Sequence, residues 1–314
     1  MPVAAPPTEP GTARTVYADG LAVHTVEWRS PHSHPDRRVL LLHGLGANTL
    51  SWEPFAAPLA DRLDAVVTAV DLAGFGRTRA PAGRALLGRQ RQLVRRLLER
   101  LGPSLVVGNS MGGSIGIGVT ADHPEQVHGL VLVNPAVPHP RPGMGDWVRM
   151  AWLAPLAVPA LGAGVIALRA RALGPERLVD FSIAASMRNA EALPADLRRR
   201  MIELTAERLR WAEAAPAYAT AARSLVAYLA FGLHRDLAVA AAERPTLLLH
   251  GADDELVPLA AATHAAAEHD LDFEVLDDLG HAPQLEHPSR VIDAVASWVD
   301  AHGPPGWPET RTGT

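Results

Sequence analysis

Five residues, Gly108-Asn109-Ser110-Met111-Gly112, constrain this chain more than any other stretch. They follow a short apolar run, Leu105-Val106-Val107, and precede Gly113-Ser-Ile-Gly-Ile-Gly118, a small-residue segment suited to a buried helix. A serine centred in G-x-S-x-G between a strand and a helix must sit on a very tight turn in strained backbone geometry. The flanking glycines follow, because a Cβ at 108 or 112 would collide with neighbouring elements. Such a turn leaves the serine Oγ clear of the backbone, at a helix N-terminus whose free N–H groups can hold developing negative charge.

Composition removes several alternatives. The chain has 314 residues, enough for one large α/β domain with an insertion, and 48% hydrophobic residues, enough for a substantial core. A net charge of −5 gives no case for nucleic acid as a partner. With no cysteine there is no disulfide framework, thiol nucleophile or thiolate metal site. All 29 basic residues are arginine, which removes Schiff-base chemistry and a phosphate-loop lysine.

The pattern along the chain is strand and helix in alternation. Thr15–Ala18 and Leu21–Trp28 flank Asp19-Gly20, a hairpin turn signal. Arg38–Leu42 and Ala65–Val70 read as buried strands separated by a helix over Ser51–Leu63. Arg84–Leu101 reads as an amphipathic helix with Leu86, Leu87, Leu93, Val94, Leu97, Leu98 and Leu101 inward and arginines outward. Further strands are expected at Gly129–Asn134, Pro245–His250 and Asp272–Leu276, with helices around Leu259–Glu268 and Ser289–His302. Short strands alternating with helices imply an α/β fold: a doubly wound, mostly parallel sheet of about eight strands, with functional residues at strand carboxyl ends.

The pattern divides the chain into a core over 15–136 and 235–302, a helical cap over 137–234, and flexible tails at 1–14 and 303–314. The cap segment lacks strand signals, and its arginines outnumber its acids, in contrast to the core; the excess reads as a solvated face, with seating of the cap on the core or attraction of an anionic substrate as the alternatives. Within it, Met150–Leu168 is nineteen residues without a charge; Pro155, Pro159, Gly162 and Gly164 argue against a stable membrane span and favour cap helices lining an apolar pocket. The N-terminus shows no basic segment followed by an apolar one, so a cytoplasmic location is the default expectation.

A nucleophilic serine needs a base, and the base needs a carboxylate to fix its tautomer. Leu247-Leu-Leu-His-Gly-Ala-Asp253-Asp254 puts two carboxylates just after a buried strand, and Leu279-Gly280-His281 puts a histidine in the loop after the last strand. His43-Gly44-Leu45-Gly46, Asp71-Leu-Ala-Gly-Phe-Gly-Arg77, the serine turn, Gly251-Ala-Asp-Asp-Glu-Leu-Val-Pro258 and Gly280-His281 together resemble the α/β-hydrolase superfamily across nearly the whole chain outside the cap. The resemblance implies Ser110 as nucleophile, His281 as general base and acid, and Asp254, rather than Asp253, as the orienting carboxylate. It also implies an oxyanion hole from the backbone N–H groups of Leu45 and Met111, and no cofactor.

The substrate class that the resemblance favours is a carboxylic ester of a small or medium apolar acyl group, with His43, Asn109, Trp152, Leu153 and Leu156 as pocket candidates. The Gly-Asn-Ser-Met-Gly-Gly turn is also similar to that of carbon–carbon hydrolases of ring-fission products. Those relatives usually carry Trp after the histidine, where this chain has Ala282. Thioesterase and lactonase activities share the same triad, and some members of the fold are small-molecule receptors. His32 and His34 lack partners at metal-ligand spacing and His250 and His287 read as structural, so no metal site is expected. A monomer or homodimer is expected, with no nucleic acid or stable membrane span.

Overall fold

The computed structural model describes residues 11–138, 159–303 and Trp307. Eight strands form one sheet in the order β1-β2-β4-β3-β5-β6-β7-β8. They are β1 (Thr12–Ala18), β2 (Leu21–Arg29), β3 (His34–Leu42), β4 (Ala65–Val70), β5 (Ser104–Asn109), β6 (Val127–Val133), β7 (Thr246–Gly251) and β8 (Asp272–Leu276). β1 and β2 pair antiparallel, as do β2 and β4, and the pairs from β4 through β8 are parallel. The expected doubly wound sheet is therefore present. β1 begins inside the segment expected to be a flexible tail. Asp19 and Gly20 adopt φ of 48° and 74° with Ala18 opposite Leu21, the two-residue turn their identities predict.

The helices are α1 (Glu53–Leu63), α2 (Leu87–Leu101), α3 (Met111–Asp122), α4 (Pro159–Ser186, bent at Gly174), α5 (Ala195–Arg208), α6 (Ala214–Phe231), α7 (Leu233–Glu243), α8 (Leu259–Glu268), the single turn α9 (Pro283–Glu286) and α10 (Pro288–His302). Strand side chains alternate between two apolar layers. Leu40, Leu42, Val106 and Leu132 pack with α2, α3, α7 and α8, whereas Val39, Leu41, Leu105 and Val131 pack with α1 and α10. The α2 stripe Leu93, Val94, Leu97 and Leu98 is buried as its spacing predicts, each side chain contributing about 1.5–3 kcal/mol. Leu86 is a correction: it precedes the helix with ψ of 136° and is exposed, because the helix starts one residue later.

Among the described residues, four helices, α4 to α7, intervene between β6 and β7. Arginines join this insertion to the core: Arg200 pairs with Glu53 of α1, and Arg79 with Glu213 at the start of α6. Arg208 donates to the carbonyls of Gly74 and Gly76 at 2.7 and 2.8 Å. Others, such as Arg198 and Arg199, pair with acids of the insertion itself. α7 is tied to α2 and α3 by Arg91, which donates to Asp236, Asp122 and the Gly118 carbonyl. No single helix among the described residues is long and apolar enough to cross a membrane; α6 and α7 would pass only as a pair, and they are bent by 73°. Residues 150–158 of the uncharged stretch lie outside the described residues.

Two glycines set the approach of α3 to the sheet. A Cβ on Gly108 would stand 2.5 Å from the Gly112 backbone, and one on Gly112 would stand 2.1 Å from the Leu42 carbonyl oxygen. Both contacts are with backbone, which cannot rotate away. Gly108→Ala is therefore expected to lose about 1–3 kcal/mol or more of stability in urea unfolding. Gly83→Ala, at a site with open space, should stay within about 1 kcal/mol of wild type. Equal stabilities would refute the packing account.

Candidate active site

Ser110 lies between β5 and α3 with φ 53° and ψ −118°, a strained conformation that lifts its side chain off both elements. The turn is held by backbone bonds from Ser110 N–H to the Val133 carbonyl and from the Ala136 N–H to the Ser110 carbonyl, both 3.2 Å. Met111 opens α3, so its N–H has no intrahelical acceptor. Gly44 backs directly onto the serine: a Cβ there would stand 3.2 Å from the Ser110 Cβ. The loop carrying Leu45 thus runs beside the serine, and the Leu45 side chain packs against the Ala219 and Ala222 pair of α6.

Asp254 follows β7 and its carboxylate is fully enclosed. Oδ1 accepts from the N–H groups of Leu256 and Val257 at 2.8 and 2.9 Å. Oδ2 accepts from Asn134 Nδ2 at 2.8 Å and from His281 Nδ1 at 2.7 Å. Burial works against the ionised form, but the His281 and Asn134 hydrogen bonds outweigh it and hold the carboxyl below its ordinary pKa. Since a carboxylate only accepts, the His281 proton sits on Nδ1, leaving Nε2 with a lone pair. Asp253 points elsewhere, pairing with Arg188 at 2.9 Å. Of the two carboxylates, only Asp254 is hydrogen-bonded to the histidine.

Asn109 and His43, expected at a pocket, have other tasks. Asn109 Nδ2 donates to the carbonyls of Val133 and His281 at 3.0 and 3.1 Å, fastening the histidine loop beside the serine turn. The buried His43 ring donates from Nδ1 to the Gly44 carbonyl at 2.8 Å and accepts the Leu72 N–H on Nε2 at 3.0 Å. It braces the loops after β3 and β4 and is closed off from solvent. Trp152, Leu153 and Leu156 lie outside the described residues. His34 accepts the Asp36 N–H, His250 donates from Nε2 to the Val257 carbonyl, and His287 lies beside Ser289 at the start of α10.

Two positioning residues escaped sequence reasoning. Asn134, at the end of β6 with φ 44°, bonds Asp254, the Gly280 carbonyl and the Gly251 N–H at once. Glu286 accepts the N–H of Gly280 at 2.9 Å, next to His281, and those of Arg188 and Asn189 in the insertion at 3.2 and 2.6 Å. The signal for Glu286 was available: an acid five residues after the histidine, just before Pro288, within an apolar turn.

Burial lowers the pKa of His43 and His250, with Asp71 and Asp254 respectively opposing. A histidine depressed in the fold contributes stability that is complete above its unfolded pKa of about 6.5 and is lost as pH falls through the folded value. The melting temperature is therefore expected to fall between about pH 7.5 and 5.5, and His250→Gln, which keeps a donor for Val257, should reduce the fall. A wild-type melting temperature independent of pH over that range would contradict the assignment.

A family model described as "Alpha/beta hydrolase family" matches residues 39–294. A pimeloyl-[acyl-carrier protein] methyl ester esterase of Aromatoleum aromaticum is 30% identical over 266 residues, 82% of this chain and 94% of its own. A 2-hydroxy-6-oxo-6-(2'-aminophenyl)hexa-2,4-dienoic acid hydrolase of Metapseudomonas resinovorans is 27% identical, over 87% and 88% of the two chains. The chain spans 64% of the length of a further relative at 26% identity, the dihydrolipoyllysine-residue acetyltransferase component of an acetoin cleaving system of Pseudomonas putida. Among solved structures, a bacterial membrane phospholipase A superposes with a TM-score of 0.72 at 26% identity, over 93% of this chain and 86% of the other. The sheet order, the serine turn and the family match over most of the chain agree: this chain belongs to the α/β hydrolase family.

Proposed function

We propose that the chain is a serine hydrolase acting on carboxylic esters with small or medium apolar acyl groups, through Ser110, His281 and Asp254. The observation that carries this reading is the enclosed Asp254–His281 bond of 2.7 Å, which leaves the His281 Nε2 lone pair able to take a proton, on a loop that Asn109 fastens to the strained serine turn. In the proposed cycle the Ser110 Oγ attacks the acyl carbonyl while its proton passes to His281 Nε2. The backbone N–H groups of Leu45 and Met111 receive the oxyanion, a donor of this kind being worth roughly 3–4 kcal/mol. His281 returns the proton to the departing alcohol, and water activated by the same nitrogen then releases the acid. Asp254 stabilises the imidazolium at each stage without itself being protonated.

The insertion would serve as a cap over this site, its apolar residues facing the acyl group. Two relatives are named for ester cleavage and one for a dienoic acid, so carbon–carbon cleavage is the second reading. Against it stands Ala282, a small residue directly after His281, packed with Leu50, Val179 and Ile183.

Hydrolysis of p-nitrophenyl acetate and butyrate tests the proposal. Ser110→Ala should fall to near background, with loss of labelling by a fluorophosphonate probe. Asp254→Asn should lose roughly 10⁴-fold in kcat through the wrong histidine tautomer, and Asp253→Asn far less. Turnover by Ser110→Ala equal to wild type would end the serine mechanism, and preference for a vinylogous diketone acid by orders of magnitude would replace ester with carbon–carbon cleavage. Tight ligand binding with no turnover of any ester would support a receptor instead.

Glu286 supplies a separate prediction. Glu286→Gln removes the charge that gathers three backbone donors, so the His281 loop should lose register. A drop in kcat of up to about 100-fold with little change in KM is expected, since misplacement by about 1 Å can have that effect. An unchanged kcat in a folded variant would show that Glu286 does not position the histidine.

A further inference from the structure

Outside the residues of the serine site, three histidines and one glutamate meet where α7 adjoins α8. His234 is the second residue of α7, Glu268 the last of α8, and His269 follows it. The ligand-competent atoms of His234, Glu268 and His269 all lie within 4.8 Å of one another. His234 Nδ1 stands 3.4 Å from Glu268 Oε2 and His269 Nε2 4.0 Å from the same oxygen. His264, one turn earlier on α8, reaches that oxygen too, Nε2 at 3.5 Å. We propose that His234, Glu268 and His269 form a transition-metal site of the zinc class, with His264 adjoining it through Glu268.

The geometry is close to what such an ion requires. Bonds of about 2.0–2.1 Å in a tetrahedron place ligand atoms about 3.4 Å apart. Two of the three separations to Glu268 Oε2 are already near that value, and the third needs a shift of under about 1 Å. The donor set selects the metal: imidazole with one carboxylate suits zinc, nickel or copper, whereas calcium and magnesium want oxygen alone. The His269 side chain is only 7% exposed, so packing fixes one ligand in place, while His234 and Glu268 remain open to solvent for an ion to enter.

The site does not depend on the esterase reading. It joins the helix by which the chain returns from the insertion to the helix after β7. Because α7 also packs through Leu233, Leu237 and Ala240 into the layer that holds α3, an ion here would brace the return of the insertion onto the core.

Untagged, chelator-treated protein titrated with zinc chloride in a calorimeter tests the site. One zinc per chain is expected, with affinity lower by at least about 10-fold in His234→Ala and in Glu268→Gln, the least that even an outer-shell metal partner is commonly worth. His123→Ala, a histidine elsewhere on the surface, should bind as wild type does. Zinc should raise the melting temperature of wild type and not of His234→Ala, whose metal-free melting temperature checks that it folds. Absence of binding at about 100 µM zinc, wild-type affinity in both ligand variants, or equal binding of calcium would each overturn the proposal.

Discussion

The structure around the serine depends on one buried carboxylate. An ion such as Asp254, enclosed by protein, is tolerable only when its lone pairs are met by donors, and four meet it: two backbone N–H groups, an amide and an imidazole. Those donors come from the loop after β7, the end of β6 and the loop after β8. The carboxylate therefore gathers three separate chain segments about a single point. Removing the charge while keeping the shape would leave His281 free to place its proton on either nitrogen, so the interaction fixes chemistry as well as position. His250, buried and donating from Nε2 to the Val257 carbonyl, stands 3.5 Å from the same carboxylate.

The second constraint is steric. β5 and α3 approach so closely that Gly108 and Gly112 face backbone atoms where a side chain would stand. That closeness forces the positive φ of Ser110, and the strain persists because the buried β3, β5 and β6 surround it on the sheet. The carboxylate and the turn meet through Asn109, whose amide hydrogen-bonds the carbonyl of His281. Position 109 lies inside the serine motif, yet its side chain serves the histidine.

Features written locally were legible in the sequence. The Asp19-Gly20 hairpin, the α2 stripe, the parallel strands and the glycines of the serine turn each depend on residues close together in the chain. The choice between Asp253 and Asp254 rested on a family pattern, and the structure separates them by what each one touches. What stayed hidden depends on distant partners. Asn134 read as the end of a strand, and its value as a donor appears only when Asp254 and Gly280 are beside it. His43 looked like a pocket residue because it ends a strand, but both its ring nitrogens are committed to backbone. His234 and Glu268, more than thirty residues apart, gave no spacing signal of the kind that local metal motifs give.

The insertion and the site are joined more closely than a separable lid would be. Tyr218 of α6 lies against Gly46, at a φ of +79° where a Cβ would stand 2.9 Å from its ring. Arg208 caps the carbonyls of the turn after β4, its pKa drawn below the ordinary arginine value by burial, with Asp71 opposing. Glu286 holds Gly280 and two insertion N–H groups on one carboxylate. The Arg208 and Glu286 contacts are hydrogen bonds from or to a charged side chain, so breaking either would strand a polar group without a partner. Lifting the insertion as one rigid body would break all three together. Within the insertion itself, Gly174 interrupts α4 at a φ of 73°. The insertion and the His281 loop share Glu286, and a change in one is felt by the other through it.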